Sequence, residues 1–384
     1  MSYQSNKTIN IESEEESQSI RLIEIRTDFE AKRIKRYLEM PDLTRTPASP
    51  IKEVVERMTS IPDFKDFDIV KVPEVVPTGI AFDLFDFASN HPARSKSDTY
   101  FLDNSHILRP HTTVMWYYYL TSGQVKEKMR RGENIGVFCY GKVYRKDEID
   151  RFHMNVFHQI DGLYLCPKKN KEITLQDLQD IEVKMVKAVF GDNIKYRFHE
   201  DTFPYTHPST EVEIEKDGER VEILGSGVVK GSVLEKLGVD SSVYNGWAFG
   251  PGLERWAMVS MGLPDIRLLW SDDPRVKKQL KLGNKFKEVS KYPPITRDIS
   301  FVVDKSFIPN NYFDLIRDIG GNLVEEVQLL DKYENSEKFG KDKVSYTYRI
   351  IYCSNERTLT TEEIDPIQDK IYKQTSEQFG AELR

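Results

Sequence analysis

The sequence predicts an α+β protein built from two units. Three observations carry this. Strand-like runs adjoin one another with only a few helices among them, which argues an antiparallel sheet rather than repeated βαβ crossovers. A stretch rich in lysine and poor in acids then interrupts the chain. Beyond it the elements follow the order β-α-β-β-α-β.

Taken in order, residues up to about 48 read as a flexible acidic tail, with Glu12, Glu14, Glu15 and Glu16, and then a charged helix over 20–38 that Pro41 stops. Residues 51–58 suit a short amphipathic helix, and 67–76 a strand with Pro73 near its end. Strands are expected over 137–144, 156–165, 196–198, 210–214 and 221–224. A helix over 175–190 carries an apolar stripe of Val183, Val186, Ala188 and Val189, and another begins near Leu253 and stops at Gly262-Leu263-Pro264. The second unit is expected as strand 299–303, helix 310–319, strands 324–333 and 344–352, helix 361–379 and a last strand at 381–383. That is the ferredoxin-like order, which alone says nothing of function. The expected divisions are 1–48 (tail and helix), 49–280 (first domain), 281–291 (basic linker) and 292–384 (second domain).

With 384 residues, 39% of them hydrophobic, the chain can bury more than one core. A net charge of −7 means that nucleic-acid binding would need a local basic patch. Lys277, Lys278, Lys281, Lys285, Lys287 and Lys291 are either such a patch or a solvated linker. Cys139, Cys166 and Cys353 stand far apart, which argues against structural zinc and for a reducing compartment. No apolar run reaches membrane-spanning length, so no membrane partner is expected. The acidic N-terminus is the opposite of a transit peptide and favours a cytoplasmic protein.

No GxxxxGK[ST] loop is present, and no GxGxxG follows a strand. Two distant arginines, Arg145 and Arg255, are each flanked by strand-like runs. Guanidinium is permanently charged and can meet phosphate with two donors, so this pair suits a polyanion held from two sides. Phe157 adds a face for a base. The chemistry suggested is attack on the α-phosphate of ATP.

Several long motifs carry a resemblance. Phe157-His158-Gln159-Ile160-Asp161-Gly162, Phe203-Pro204-Tyr205-Thr206-His207-Pro208-Ser209 and Gly246-Trp247-Ala248-Phe249-Gly250-Pro251-Gly252-Leu253-Glu254-Arg255 resemble the catalytic core of phenylalanyl-tRNA synthetases, of class II. His91-Pro92-Ala93-Arg94, Asp98-Thr99-Tyr100 and Leu108-Arg109-Pro110-His111-Thr112-Thr113 fit the same core. The unit from Ser290 onward resembles that family's ferredoxin-fold anticodon-binding domain. Both domains on one chain is similar to the single-chain form known best from mitochondria, so the mitochondrial matrix is the alternative compartment. Single-chain members work as monomers, and a monomer is expected here, although Val72-Pro73 resembles the class II dimer motif.

The resemblance implies roles. Arg145 would bind the ATP α-phosphate, Arg255 the γ-phosphate end and His153 the β- and γ-phosphates. Phe157 would stack on adenine, with Arg255 on its other face. Glu211 or Glu222 would hold Mg²⁺. His111, Thr113, Gln159 and Asp161 would meet the polar ends of phenylalanine. Phe203 and Tyr205 would meet its ring, and Ala248 would sit near the para position. The partner would be tRNA(Phe), read by the domain that carries Phe301 and Tyr348. The chain departs from the family at Asp161 (usually glutamate), Thr113 (usually serine), Trp116 (commonly glutamine) and Asp150-Arg151-Phe152-His153 (usually Asp-Ala-Thr-His). Rival readings are a class II ligase for another amino acid, such as phosphoserine, a catalytically dead tRNA-binding paralogue, and an ATP-dependent ligase without tRNA.

Overall fold

The computed structural model describes residues 8–147, 150–216, 218–354 and 356–384. Residues 1–7 of the expected tail, and Glu148 and Ile149 within the run before His153, lie outside the described residues. The chain divides into two compact units, residues 1–286 and 287–384.

The first unit holds strands β1 (Thr8–Asn10), β2 (Asp68–Lys71), β3 (Val75–Pro77), β4 (His106–Leu108), β5 (Ile135–Tyr144), β6 (Val156–Pro167), β7 (Lys195–Asp201), β8 (Thr206–Lys216), β9 (Glu219–Val229) and β10 (Tyr244–Phe249). Eight of them form one sheet in the order β1-β2-β5-β6-β10-β9-β8-β7, and β3 pairs with β4 apart from it. The sheet is antiparallel from β5 to β7, as its adjoining strands predict, but β1, β2 and β5 run parallel at one edge.

Two expectations need correction. The run 67–76 is not one strand, because β2 ends at Lys71 and Val75 begins a strand paired with Leu108. Pro73 lies between them, where it lacks a ladder donor and constrains the residue before it. The acidic segment is also not a tail where it is described. Glu14–Glu24 is a helix capped by Ser13, and Asp28 caps a second helix, Phe29–Glu39, so the single expected helix is broken. Glu16 Oε1 accepts from the backbone N–H groups of Glu74 (2.6 Å) and Val75 (3.1 Å). Lys142 Nζ donates to the carbonyls of Leu38 (2.7 Å) and Met40 (2.9 Å) at the end of the second helix. These bonds tie both helices to strands of the first unit.

β10 was not expected as a strand. It is buried along its whole length between β6 and β9, so its sequence shows no polar alternation. Its side chains still alternate. Trp247 and Phe249 pack into one layer with Phe64, Phe138 and Trp256, whereas Ala248 faces the other with Phe85, Trp116 and Leu163.

The second unit has β11 (Ile295–Asp304), β12 (Val324–Tyr333), β13 (Lys343–Tyr352) and β14 (Glu382–Leu383), paired β12-β13-β11-β14 and antiparallel throughout. The helices Pro309–Gly320 and Thr361–Phe379 complete the ferredoxin-like order. Phe301 and Tyr348 are core residues packed with Tyr312 and Ile371, whereas Leu329, Leu330 and Tyr333 on β12 are exposed.

Candidate active site

Strand β6 supplies three of the expected residues. Phe157, Gln159 and Asp161 are two apart, so their side chains leave the sheet on one face. They stand opposite Val143, Gly141 and Cys139 of β5. Arg145 directly follows β5, and its guanidinium carbon lies 5.2 Å from the centre of the Phe157 ring. Its Nε donates to the Pro110 carbonyl at 2.9 Å. Arg255 rides on the first turn of the helix Leu253–Met261, and its Nη1 donates to the Glu222 carbonyl at 3.2 Å.

The two arginines open onto one pocket of about 310 Å³, lined also by His153, Phe157, Gln159 and Glu222. Arg145 keeps solvent access on one side while protein crowds the other. The lost hydration lowers its pKa and Asp147 opposes the change, but a guanidinium stays cationic regardless. His153 sits at the rim with Nδ1 2.8 Å from Asp150 Oδ2. Asp150 Oδ1 accepts from the N–H groups of Phe152 (2.6 Å) and His153 (2.8 Å), which shapes the loop before β6.

A narrow slot of about 10 Å³ adjoins this pocket, lined by Trp116, Asp161, Phe203, Tyr205 and Ala248. Gly225 and Gly250 line both spaces, so the two lie side by side. A side chain at either glycine would obstruct the site. A Cβ on Gly225 would fall 2.7 Å from the Phe203 ring, and one on Gly250 would fall 2.9 Å from Gln159 Nε2. The Phe203 and Tyr205 rings stack at 6.2 Å, and Trp116 meets Tyr205 edge to face at 5.9 Å.

Three expected residues line neither space. Thr113 lies behind the slot and donates from Oγ1 to Asp161 Oδ2 at 2.7 Å. His111 donates from Nε2 to the Ala81 carbonyl at 3.1 Å, while its Nδ1 is buried without a partner. Burial and the nearby Arg145 push the His111 pKa down to about 3, so the ring is neutral. Glu211 stands near Glu222 and Asp201, and burial followed by these like charges pushes its pKa up to about 7. Among the described residues no group of three or more His, Cys, Asp or Glu forms a metal cage.

Burial also pushes Asp161 up to about 7, against the donors Thr113 and Trp116. A carboxyl raised above its unfolded value contributes stability that is fully present in acid, below the ordinary carboxylate range. That contribution is lost as pH rises through about 7. Asp161→Asn cannot titrate. The unfolding free energy of this variant minus that of the wild type should therefore rise between about pH 4 and pH 7, by on the order of a few kcal/mol, and level off above. A flat difference curve would show that Asp161 does not titrate there.

One pair was not assigned a role from sequence. His158, between Phe157 and Gln159, points to the opposite face of β6 and is fully buried. It donates from Nδ1 to Glu254 at 2.7 Å, and its backbone N–H meets both Glu254 oxygens at 2.9 Å. Its Nε2 accepts from the Leu43 N–H at 2.9 Å. The available signal was positional, because each partner is the immediate neighbour of a site residue.

Comparison with known proteins bears on this geometry. Residues 34–280 match the family model for the tRNA synthetases class II core domain (F), and residues 290–384 that for the ferredoxin-fold anticodon binding domain. The chain is 35% identical to the mitochondrial phenylalanine–tRNA ligase of Mus musculus over 84% of this chain and 76% of that one. It is 38% identical to the chloroplastic/mitochondrial phenylalanine–tRNA ligase of Arabidopsis thaliana over 81% and 71%. It is 32% identical to the mitochondrial phenylalanine–tRNA ligase of Saccharomyces cerevisiae over 88% and 87%.

Proposed function

Because the chain belongs to the class II tRNA synthetases, of the single-chain phenylalanine–tRNA ligase type, we propose that it activates phenylalanine with ATP and esterifies it to tRNA(Phe). The observation that carries this reading is a pocket flanked by Arg145 and Arg255 lying beside an aromatic slot, with Gly225 and Gly250 lining both.

In the first step a carboxylate oxygen of phenylalanine attacks the α-phosphorus, the bond to the bridging oxygen breaks and pyrophosphate leaves. Arg145 holds the α-phosphate and stabilises charge that grows there, and Arg255 and His153 hold the outer phosphates. Such preorganised charge is a main source of rate in a site with no covalent enzyme intermediate. Phe157 stacks on adenine. Gln159 and Asp161 orient the polar end of the substrate, and Phe203, Tyr205 and Ala248 enclose its ring. An apolar wall leaves the hydroxyl of tyrosine unpaired, at a cost of about 1–3 kcal/mol. In the second step the terminal adenosine 2′-hydroxyl attacks the carbonyl carbon and AMP leaves.

Mg²⁺ would fit the rim of the pocket at the exposed Glu222, with Glu211 close behind it and crowded by like charge. A hard cation held by one carboxylate, water and phosphates needs no protein cage. Bound there, it would neutralise phosphate charge. The second unit meets the anticodon, with Tyr333 on the exposed part of β12 available for stacking. The relatives' names favour the mitochondrial matrix over the cytoplasm. No helix among the described residues is long and apolar enough to cross a membrane.

The test is pyrophosphate exchange with each amino acid, with and without tRNA(Phe). Phenylalanine-dependent exchange is expected. Exchange driven by a different amino acid, or none at all, would overturn the proposal.

A further inference from the structure

Asp161 is one methylene shorter than the glutamate that the resemblance leads one to expect, and it is held in an unusual way. One carboxylate oxygen accepts from Thr113 Oγ1 at 2.7 Å, and the other from the indole Nε1 of Trp116 at 3.0 Å. All three residues are buried, Trp116 completely. The indole does more than donate. It forms a wall of the slot beside Ala248 and meets the rings of Tyr205 at 5.9 Å and Phe85 at 5.4 Å, both edge to face. A short carboxylate and a large indole thus occupy the space jointly, and neither could change length without leaving a gap or a clash.

We propose that Trp116 is a specificity-determining residue of the amino-acid slot and acts as one unit with Asp161: the indole N–H fixes the carboxylate that faces the substrate, and the ring sets the width of the slot. This rests on the reading of the slot as the phenylalanine site. Trp116 touches the slot but not the pocket that carries the arginines, so its effect falls on the amino acid and not on ATP.

A double-mutant cycle tests the unit. Trp116→Gln keeps a side-chain N–H donor but withdraws the ring wall and leaves the donor short of Asp161. Asp161→Glu alone drives an extra methylene against the indole. Each single variant should raise the phenylalanine KM about tenfold or more, as expected for a buried polar group left without its partner, with the ATP KM within twofold of wild type. The double variant should recover most of the loss, because the longer carboxylate reaches the shorter donor. Simple additivity, or equal rises in both KM values, would overturn the proposal. Trp116→Phe guards against a folding failure. It keeps an aromatic wall but removes the N–H, so the protein should stay folded with a modestly lowered melting temperature while the phenylalanine KM still rises several-fold, and an unchanged KM would also overturn the proposal. Wild-type exchange with phenylalanine is measured alongside. Its absence would remove the underlying reading, whereas additivity with active wild type removes only the role of Trp116.

Discussion

Arg145→Ala should abolish phenylalanine-dependent pyrophosphate exchange while the protein stays folded. The side chain is exposed on one side, donates to the Pro110 carbonyl and lies over Phe157. Losing these contacts should change stability by no more than about 1 kcal/mol. The catalytic cost is far greater, because the guanidinium is placed before charge develops on the α-phosphate and needs no rearrangement as the reaction proceeds. Removing one such preorganised donor typically lowers kcat by about 10²- to 10³-fold. Lysine at the same position should rescue only in part, since an ammonium cannot make two parallel bonds to phosphate. Exchange at the wild-type rate with saturating ATP would show that Arg145 does not stabilise the transition state. A melting curve shifted as far as the activity would show that its role is structural.

Glu254→Ala should have the largest effect on stability. Both Glu254 oxygens accept from the His158 backbone N–H, and one also takes the ring Nδ1–H. His158 is 0% exposed and Glu254 3% exposed, so water cannot replace the lost partner. Each buried donor left unmet costs about 1–3 kcal/mol. Two such donors and the cavity left behind give a loss of at least about 3 kcal/mol, or a fall in melting temperature on the order of 10 °C. Activity below the transition should also suffer, mainly in the ATP KM. Glu254 precedes Arg255, and His158 separates Phe157 from Gln159, so the pair fixes one wall of the pocket against the other. Glu254→Gln should fall between, because its amide has one acceptor oxygen and opposes the backbone N–H with a donor. If Glu254→Ala melts within a degree of wild type, the pair is not what holds helix to strand.

Much of the fold could be read locally. The helix Leu175–Phe190 and the helix Thr361–Phe379 have the bounds that their periodicity predicts, and each is capped by a box built on a threonine, Thr174 and Thr360. β12 likewise keeps its expected bounds. Where the local signal was absent the reading failed. β10 has two buried faces and therefore no polar period. The helices before residue 40 are charged and earn their place through Lys142 and Glu74, which lie far along the chain.

The site divides the same way. Arg145, Arg255 and Phe157 were legible as a nucleotide site because a permanently charged planar cation and an aromatic face are properties of residue type, whereas Gln159, Asp161 and the rest of the slot entered only through the resemblance. Whether Arg145 and Arg255, 110 positions apart by number, share a pocket is decided by strand pairing, and so is the use of the two Asp161 oxygens by Thr113 and Trp116. Pairing between distant segments leaves no period in the sequence, since its energy comes from burial and hydrogen bonds that exist only once the sheet has closed.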